Sequence, residues 1–145
     1  MRREGDAQNW LPKILLEIPE LDEDHQRLLS CVDALIAAVA SKAPAGVQSA
    51  LSELRSETEG HFAREETLMR EVQYPRLKQH CARHQGLLRE LSAFRVLLNA
   101  SLRLRLTLVP LNYIRHWFVA HVAQEDRMLA SYLDENESKF LIGLA

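Results

Sequence analysis

Cysteine is scarce in this chain: only Cys31 and Cys81 occur, and they lack CxxC spacing. Two such thiols cannot build a secreted disulfide framework and offer no zinc or redox motif, so both are expected as small buried apolar groups. A block of basic residues is missing as well. Lys+Arg 18 against Asp+Glu 20 gives a formal charge of -2, and nowhere does positive charge gather to neutralise a row of phosphates or hold an anionic membrane. Nucleic acid and membrane partners are therefore not expected. No run approaches the roughly 18 apolar residues that span a bilayer, and the polar opening "MRREGDAQNW" has no apolar stretch behind it, which points to the cytoplasm. Internal repeats and low-complexity tracts are absent too.

What is present is 145 residues with 47% hydrophobic content, enough for one domain with a core that needs no staples. The apolar positions recur in steps of three and four. Leu21, His25, Leu28, Val32, Leu35 and Val39 form one such seam, and Val47, Leu51, Leu54, Thr58, His61, Glu65, Leu68 and Val72 form a second. After Tyr74 and Pro75 a third runs through Leu77, His80, Cys81, His84, Leu87, Leu91, Phe94 and Leu98. The fourth, with Pro110 near its start, comprises Leu111, Ile114, Phe118, His121, Glu125, Met128 and Tyr132.

Four helices of about 20 to 27 residues joined by short loops predict an all-α fold, an antiparallel up-down-up-down four-helix bundle about 30 to 40 Å long. Residues 1–20, with Trp10, Pro12 and Pro19, read as an irregular N-terminal arm. Residues 21–133 read as the bundle and 134–145, ending "KFLIGLA", as a short helical tail, all in a single domain. The segment "SLRLRLTLV" alternates with period two as a strand would, but with no partner strand it reads as loop plus helix start.

Five of the six histidines, His25, His61, His80, His84 and His121, fall on the seams of four different helices, and Glu65 joins them one turn from His61. Any one of them alone would pass as a core histidine satisfied by a hydrogen bond. Together they would carry large desolvation costs without a partner, whereas neutral imidazole and ionised carboxylate are what a first-row metal binds. The pairs His61/Glu65 and His80/His84 each place two side chains about 6 Å apart on one helix face. Depth agrees: His80 and Glu65 lie roughly 8 and 10 Å from the turn between their helices, so their levels meet. Five imidazoles and a carboxylate exceed what a tetrahedral structural zinc uses, and no cysteine takes part. Two bridged ions fit better. Ligand type leaves iron, manganese, copper and zinc open, although two-metal carboxylate sites in bundles are typically iron or manganese and imidazole richness tilts toward iron.

These residues also carry a resemblance. "DEDHQRL" around His25, "HFAREETLM" from His61, "YPRLKQHCARH" through His84 and "WFVAHVAQED" ending at Asp126 closely resemble the hemerythrin family, specifically the single-domain bacteriohemerythrins, in family order over nearly the whole chain. The resemblance implies a non-haem di-iron site. His80, His84 and His121 would bind one iron and His25 and His61 the other, with Glu65 and Asp126 bridging the pair beside an oxo or hydroxo group. The His25/His61 iron would keep a position open for dioxygen. Leu28, Phe62, Leu87, Ile114, Trp117 and Phe118 are candidate linings of a dry pocket, and each also reads as ordinary core. Leu87 departs from the family, which usually has phenylalanine there.

Within "HVAQED" the two readings divide. Helical arithmetic favours Glu125, the i+4 partner of His121, since Asp126 lies about 140° from that histidine. The resemblance favours Asp126, and a local π-type turn would bring i and i+5 together. Asp126 is taken as the ligand and Glu125 is left without a role. His116 points away from the apolar face and reads as solvated, Glu66 as a surface charge, and Arg103 and Arg105 as capping or solvated groups. The function expected is reversible dioxygen binding for storage, delivery or scavenging, without turnover. Sensing of oxygen, redox state or nitric oxide through the same site is the alternative, and enzymatic oxygen activation or nitric oxide reduction ranks third.

Overall fold

A computed structural model of the chain describes residues 14–41, 44–100 and 108–137. It holds α1 (Pro19–Ala40), α2 (Pro44–Glu71), α3 (Leu77–Ala100), α4 (Leu108–His121), a π-helical turn (Val122–Asp126) and α5 (Arg127–Glu135). The backbone stays in the right-handed helical region at His121, Asp126 and Arg127, so α4, the π turn and α5 form one continuous fourth rod. Each of α1 and α3 packs against both α2 and the fourth rod, which closes an all-α four-helix bundle, and no strand occurs among the described residues. Trp10, Pro12, Arg103, Arg105 and the "KFLIGLA" tail lie outside the described residues.

Pro19, expected in the arm, is the first residue of α1, where its fixed φ suits the helix and its missing N–H would be unpaired in any case. The segment before it lies across the bundle. Ile14 and Leu16 are buried against Leu28, Phe118, Val119 and Val122, and the Leu16 N–H donates to Asp22 Oδ1 at 2.7 Å. The seams of α1, α2 and α3 face inward over most of their length, with Leu35, Leu51, Leu54, Leu87, Leu91 and Phe94 in one apolar cluster, although late in α2 it is Met69, not the expected Leu68, that is fully buried. A second cluster, Met69, Tyr74 and Leu129, sits at the other end. Along α2, α3 and the fourth rod the polar seam residues fall between these two clusters.

The fourth seam departs from expectation after His121. The periodicity places Glu125 and Met128 in the core, yet Met128 is 37% exposed, while Asp126 and Leu129, one position further on, are both 0% exposed. The wide π turn takes up one more residue than an α-turn, and everything beyond it is rotated by one place. Cys31 is buried, but Cys81 is only partly so. Burial and the adjacent Glu66 push its thiol up to about 11.

The turn between α2 and α3 brings the site helices to a common level. Tyr74 N–H donates to Met69 O at 2.9 Å and Gln73 N–H to Arg70 O at 3.2 Å, a Schellman closure in which Gln73 takes the left-handed position with φ 53°. The fourth rod is tied to this turn by Tyr132, whose hydroxyl donates to Val72 O at 2.9 Å. Glycine is the residue without a steric penalty at such a φ. Gln73→Gly is therefore expected to raise the unfolding free energy by about 1 kcal/mol, read from urea denaturation. A loss of stability would show that the glutamine side chain supports the turn.

Candidate metal centre

All seven candidate ligands converge. His25 comes from the early part of α1, His61 and Glu65 from one face late in α2, His80 and His84 from one face early in α3, His121 from the end of α4 and Asp126 from the end of the π turn. Every one is buried, Glu65 and Asp126 completely. Their ligand atoms form two groups, each within 4.8 Å: Glu65, His80, His84, His121 and Asp126 in one, His25, His61, Glu65 and Asp126 in the other. Both carboxylates belong to both groups.

The two oxygens of each carboxylate face opposite ways. Glu65 Oε1 lies 2.5 Å from His80 Nε2 and 3.4 Å from His84 Nε2, while its Oε2 lies 3.1 Å from His61 Nε2 and 4.0 Å from His25 Nε2. Asp126 repeats the pattern. Its Oδ1 is 2.9 Å from His80 Nε2 and 3.2 Å from His121 Nε2, and its Oδ2 is 2.9 Å from His25 Nε2. The rings of His80, His84 and His121 stand at nearly equal centroid separations of 4.6, 4.9 and 5.0 Å, and His25 meets His61 edge-on at 4.8 Å.

Proximity does not satisfy these atoms. Apart from one oxygen of Glu90, every buried side-chain nitrogen or oxygen without a hydrogen-bond partner among the described residues belongs to these seven side chains. Buried polar groups are ordinarily paired, and orphans gathered at one point call for a ligand. Imidazole lone pairs and carboxylate oxygens converging from two sides suit a pair of first-row metal ions sharing both carboxylates.

Residues 16–133 match the family model of the hemerythrin HHE cation binding domain. The chain belongs to the hemerythrin family. A bacteriohemerythrin of Pseudomonas paraeruginosa is 29% identical over 125 residues, covering 86% of this chain and 78% of the relative. Another, from Stenotrophomonas maltophilia, is 24% identical over 131 residues, covering 90% and 84% respectively. No solved structure matches the chain at a significant level. No described helix is long and apolar enough to cross a membrane.

The hemerythrin bundle settles where each acid of "HVAQED" lies. The π turn carries Asp126 into the cluster, whereas the Glu125 side chain, 12% exposed, turns toward Arg83 at 4.0 Å. His116 is exposed, as expected. Glu66 is not a plain surface charge. Its side chain is only 21% exposed, with Oε1 4.0 Å from His84 Nδ1.

Charge is balanced inside the cluster. Burial and mutual repulsion would raise the Glu65 carboxyl, but the facing imidazoles of His61, His80 and His84 outweigh them and hold it well below the usual carboxylate range. Burial is likewise overcome at Asp126, chiefly by His121, then by His25 and His80. Burial pulls His80 down, yet the carboxylates of Asp126 and Glu65 beside it push it up to about 9. Burial dominates at His84, which lies below its ordinary value.

Aromatic rings wall the cluster. Phe62 stacks flat on His84 at 3.7 Å and Trp117 on His121 at 5.0 Å, while Phe118 meets His25 edge-on at 5.9 Å. Leu28, Phe62, Leu87, Ile114 and Phe118 are all buried, and Trp117 is partly so. One residue escaped the sequence reading. Asp24, adjacent to His25, places Oδ2 3.0 Å from His61 Nδ1, and its charge is met by Arg64. The acid directly before a seam histidine in "DEDHQRL" was the signal available.

Proposed function

We propose that this chain binds dioxygen reversibly at a non-haem di-iron centre, for storage, delivery or scavenging, without turning it over. The observation that carries the reading is the split of both carboxylates between a three-histidine and a two-histidine group. His80, His84 and His121 would hold one iron, His25 and His61 the other, and Glu65 and Asp126 would bridge them. When bound, the ferrous pair supplies the two electrons and the open coordination position that reversible dioxygen binding requires. The two-histidine half offers one imidazole fewer and would therefore be the half that leaves room for dioxygen.

The protein's part is to orient ligands and exclude competitors. Ligands on four rigid helices are held at fixed separations rather than carried on loops. Phe118, buried and edge-on to His25, walls the two-histidine half, and Phe62, stacked on His84, walls the other, which keeps water out of the cluster. Asp24, an acid close to the site, is held ionised, because His61 and Arg64 outweigh the effect of its burial.

Anaerobic reduction followed by oxygen titration, with optical spectra and iron analysis, tests this reading. Two irons per chain and a colour that appears with oxygen and bleaches on its removal are expected. Irreversible oxidation with consumption of a substrate would assign oxygen activation instead, and a chain that takes up no iron would end the metal reading.

A further inference from the structure

Four of the five site histidines have no partner at the ring nitrogen that faces away from the cluster: Nδ1 of His25, His80, His84 and His121 is buried and unpaired. His61 is the exception. Its Nδ1 lies 3.0 Å from Asp24 Oδ2, and an ionised carboxylate only accepts, so the ring nitrogen must donate. Asp24 is itself held in place. Arg64 grips it with a fork, Nε to Oδ2 at 3.1 Å and Nη2 to Oδ1 at 3.0 Å, and Arg27 Nη1 adds a longer approach to Oδ1 at 3.4 Å. Gly60 leaves space for that fork, since a Cβ there would stand 3.1 Å from Arg64 Nη1. On the three-histidine side the nearest comparable acid, Glu66, comes no closer than 4.0 Å to His84 Nδ1.

We infer that Asp24 is a positioning residue for the two-histidine half alone: it fixes the proton of His61 on Nδ1, aims the Nε2 lone pair at the cluster, and strengthens that half's hold on its metal ion. The inference rests on the di-iron reading. A carboxylate behind a ligating imidazole sets its tautomer and orientation and raises its basicity, and losing such a partner typically costs about 10–100-fold in metal affinity. Here the support goes to the half with two imidazoles, which has fewer ligands to lose.

Anaerobic titration of the metal-free chain with ferrous iron against a competing chelator, with helicity followed by circular dichroism, tests this. Asp24→Asn is expected to weaken one of the two ions by about 10–100-fold and leave the other unchanged. Arg64→Gln, at a side chain 54% exposed, is expected to give about a tenfold loss at the same half, the lower end of that range. It answers the question should the buried Asn variant fail to fold. Glu66→Gln is expected to change neither affinity. Two ions in the native chain with no change in the variants, or an equal loss at both halves, would overturn the role of Asp24 and leave the di-iron reading standing. A native chain that binds no pair of ions would overturn both.

Discussion

Asp126→Ala is expected to leave the chain unable to retain two irons, whereas Glu125→Ala keeps the count at two. Asp126 is fully buried, with one oxygen toward each histidine group, so on the proposed reading its loss would remove a ligand shared by both ions. Removing a shared ligand should exceed the roughly 10–100-fold effect of losing a supporting partner. The metal-free form suffers as well. His25, His80 and His121 lose the carboxylate that faces them, and breaking a buried charged arrangement costs about 3–5 kcal/mol. The Glu125 side chain, 12% exposed, turns away from the cluster, and its partner at 4.0 Å, the Arg83 guanidinium, is 66% exposed, so little is lost with it. Iron analysis after anaerobic reconstitution, with circular dichroism to confirm folding, separates the two. Iron lost from the Glu125 variant and kept by the Asp126 variant would transfer the bridging role to Glu125.

Stripping the metal is expected to lower the thermal midpoint by on the order of 20 °C. An ion at a thousandfold excess over its Kd stabilises the folded chain by about 4 kcal/mol, two ions by about twice that, and a chain of this size shifts by roughly 2–4 °C per kcal/mol. The gap should widen with pH. In the metal-free chain His80 is raised to about 9, so its contribution is complete below pH 6.5 and disappears as pH climbs to about 9. Glu65 and Asp126 are depressed, so theirs is present above the ordinary carboxylate range and lost on acidification. The stripped chain is thus most stable between roughly pH 5 and 6.5. Metal uptake has the opposite dependence, since His80 must shed its proton to become a ligand. Melting with and without a chelator at pH 6 and pH 9 measures both slopes, and a gap that narrows toward pH 9 would refute the assignment.

Periodicity made most of the fold legible. The seams of α1, α2 and α3 were readable because a regular α-helix repeats its burial, and His25, His61, Glu65, His80 and His84 lie on those seams as buried residues. Where the regularity stopped, so did the reading. Stepping by three and four points Met128 inward in place of Leu129 and favours Glu125 over Asp126, because it presumes a constant pitch that the π turn breaks. The resemblance in "WFVAHVAQED" named Asp126, which the periodicity could not. Asp24 was missed for another reason. It stands about 100° around the helix from His25, a place that ordinarily faces solvent, and only the approach of α2 with His61 and Arg64 buries it.

The turn at Val122–Asp126 holds one residue more than an α-turn would. On a regular helix an exchange of letters at position 125 or 126 could supply an acid at the right face, but the residues beyond would keep their phase. The extra residue instead re-times the whole lower rod, so that Asp126 and Leu129 come inward together and Tyr132 reaches Val72. One change in length thus delivers a candidate ligand, a core residue and a tether at once, a combination that point substitutions could assemble only separately.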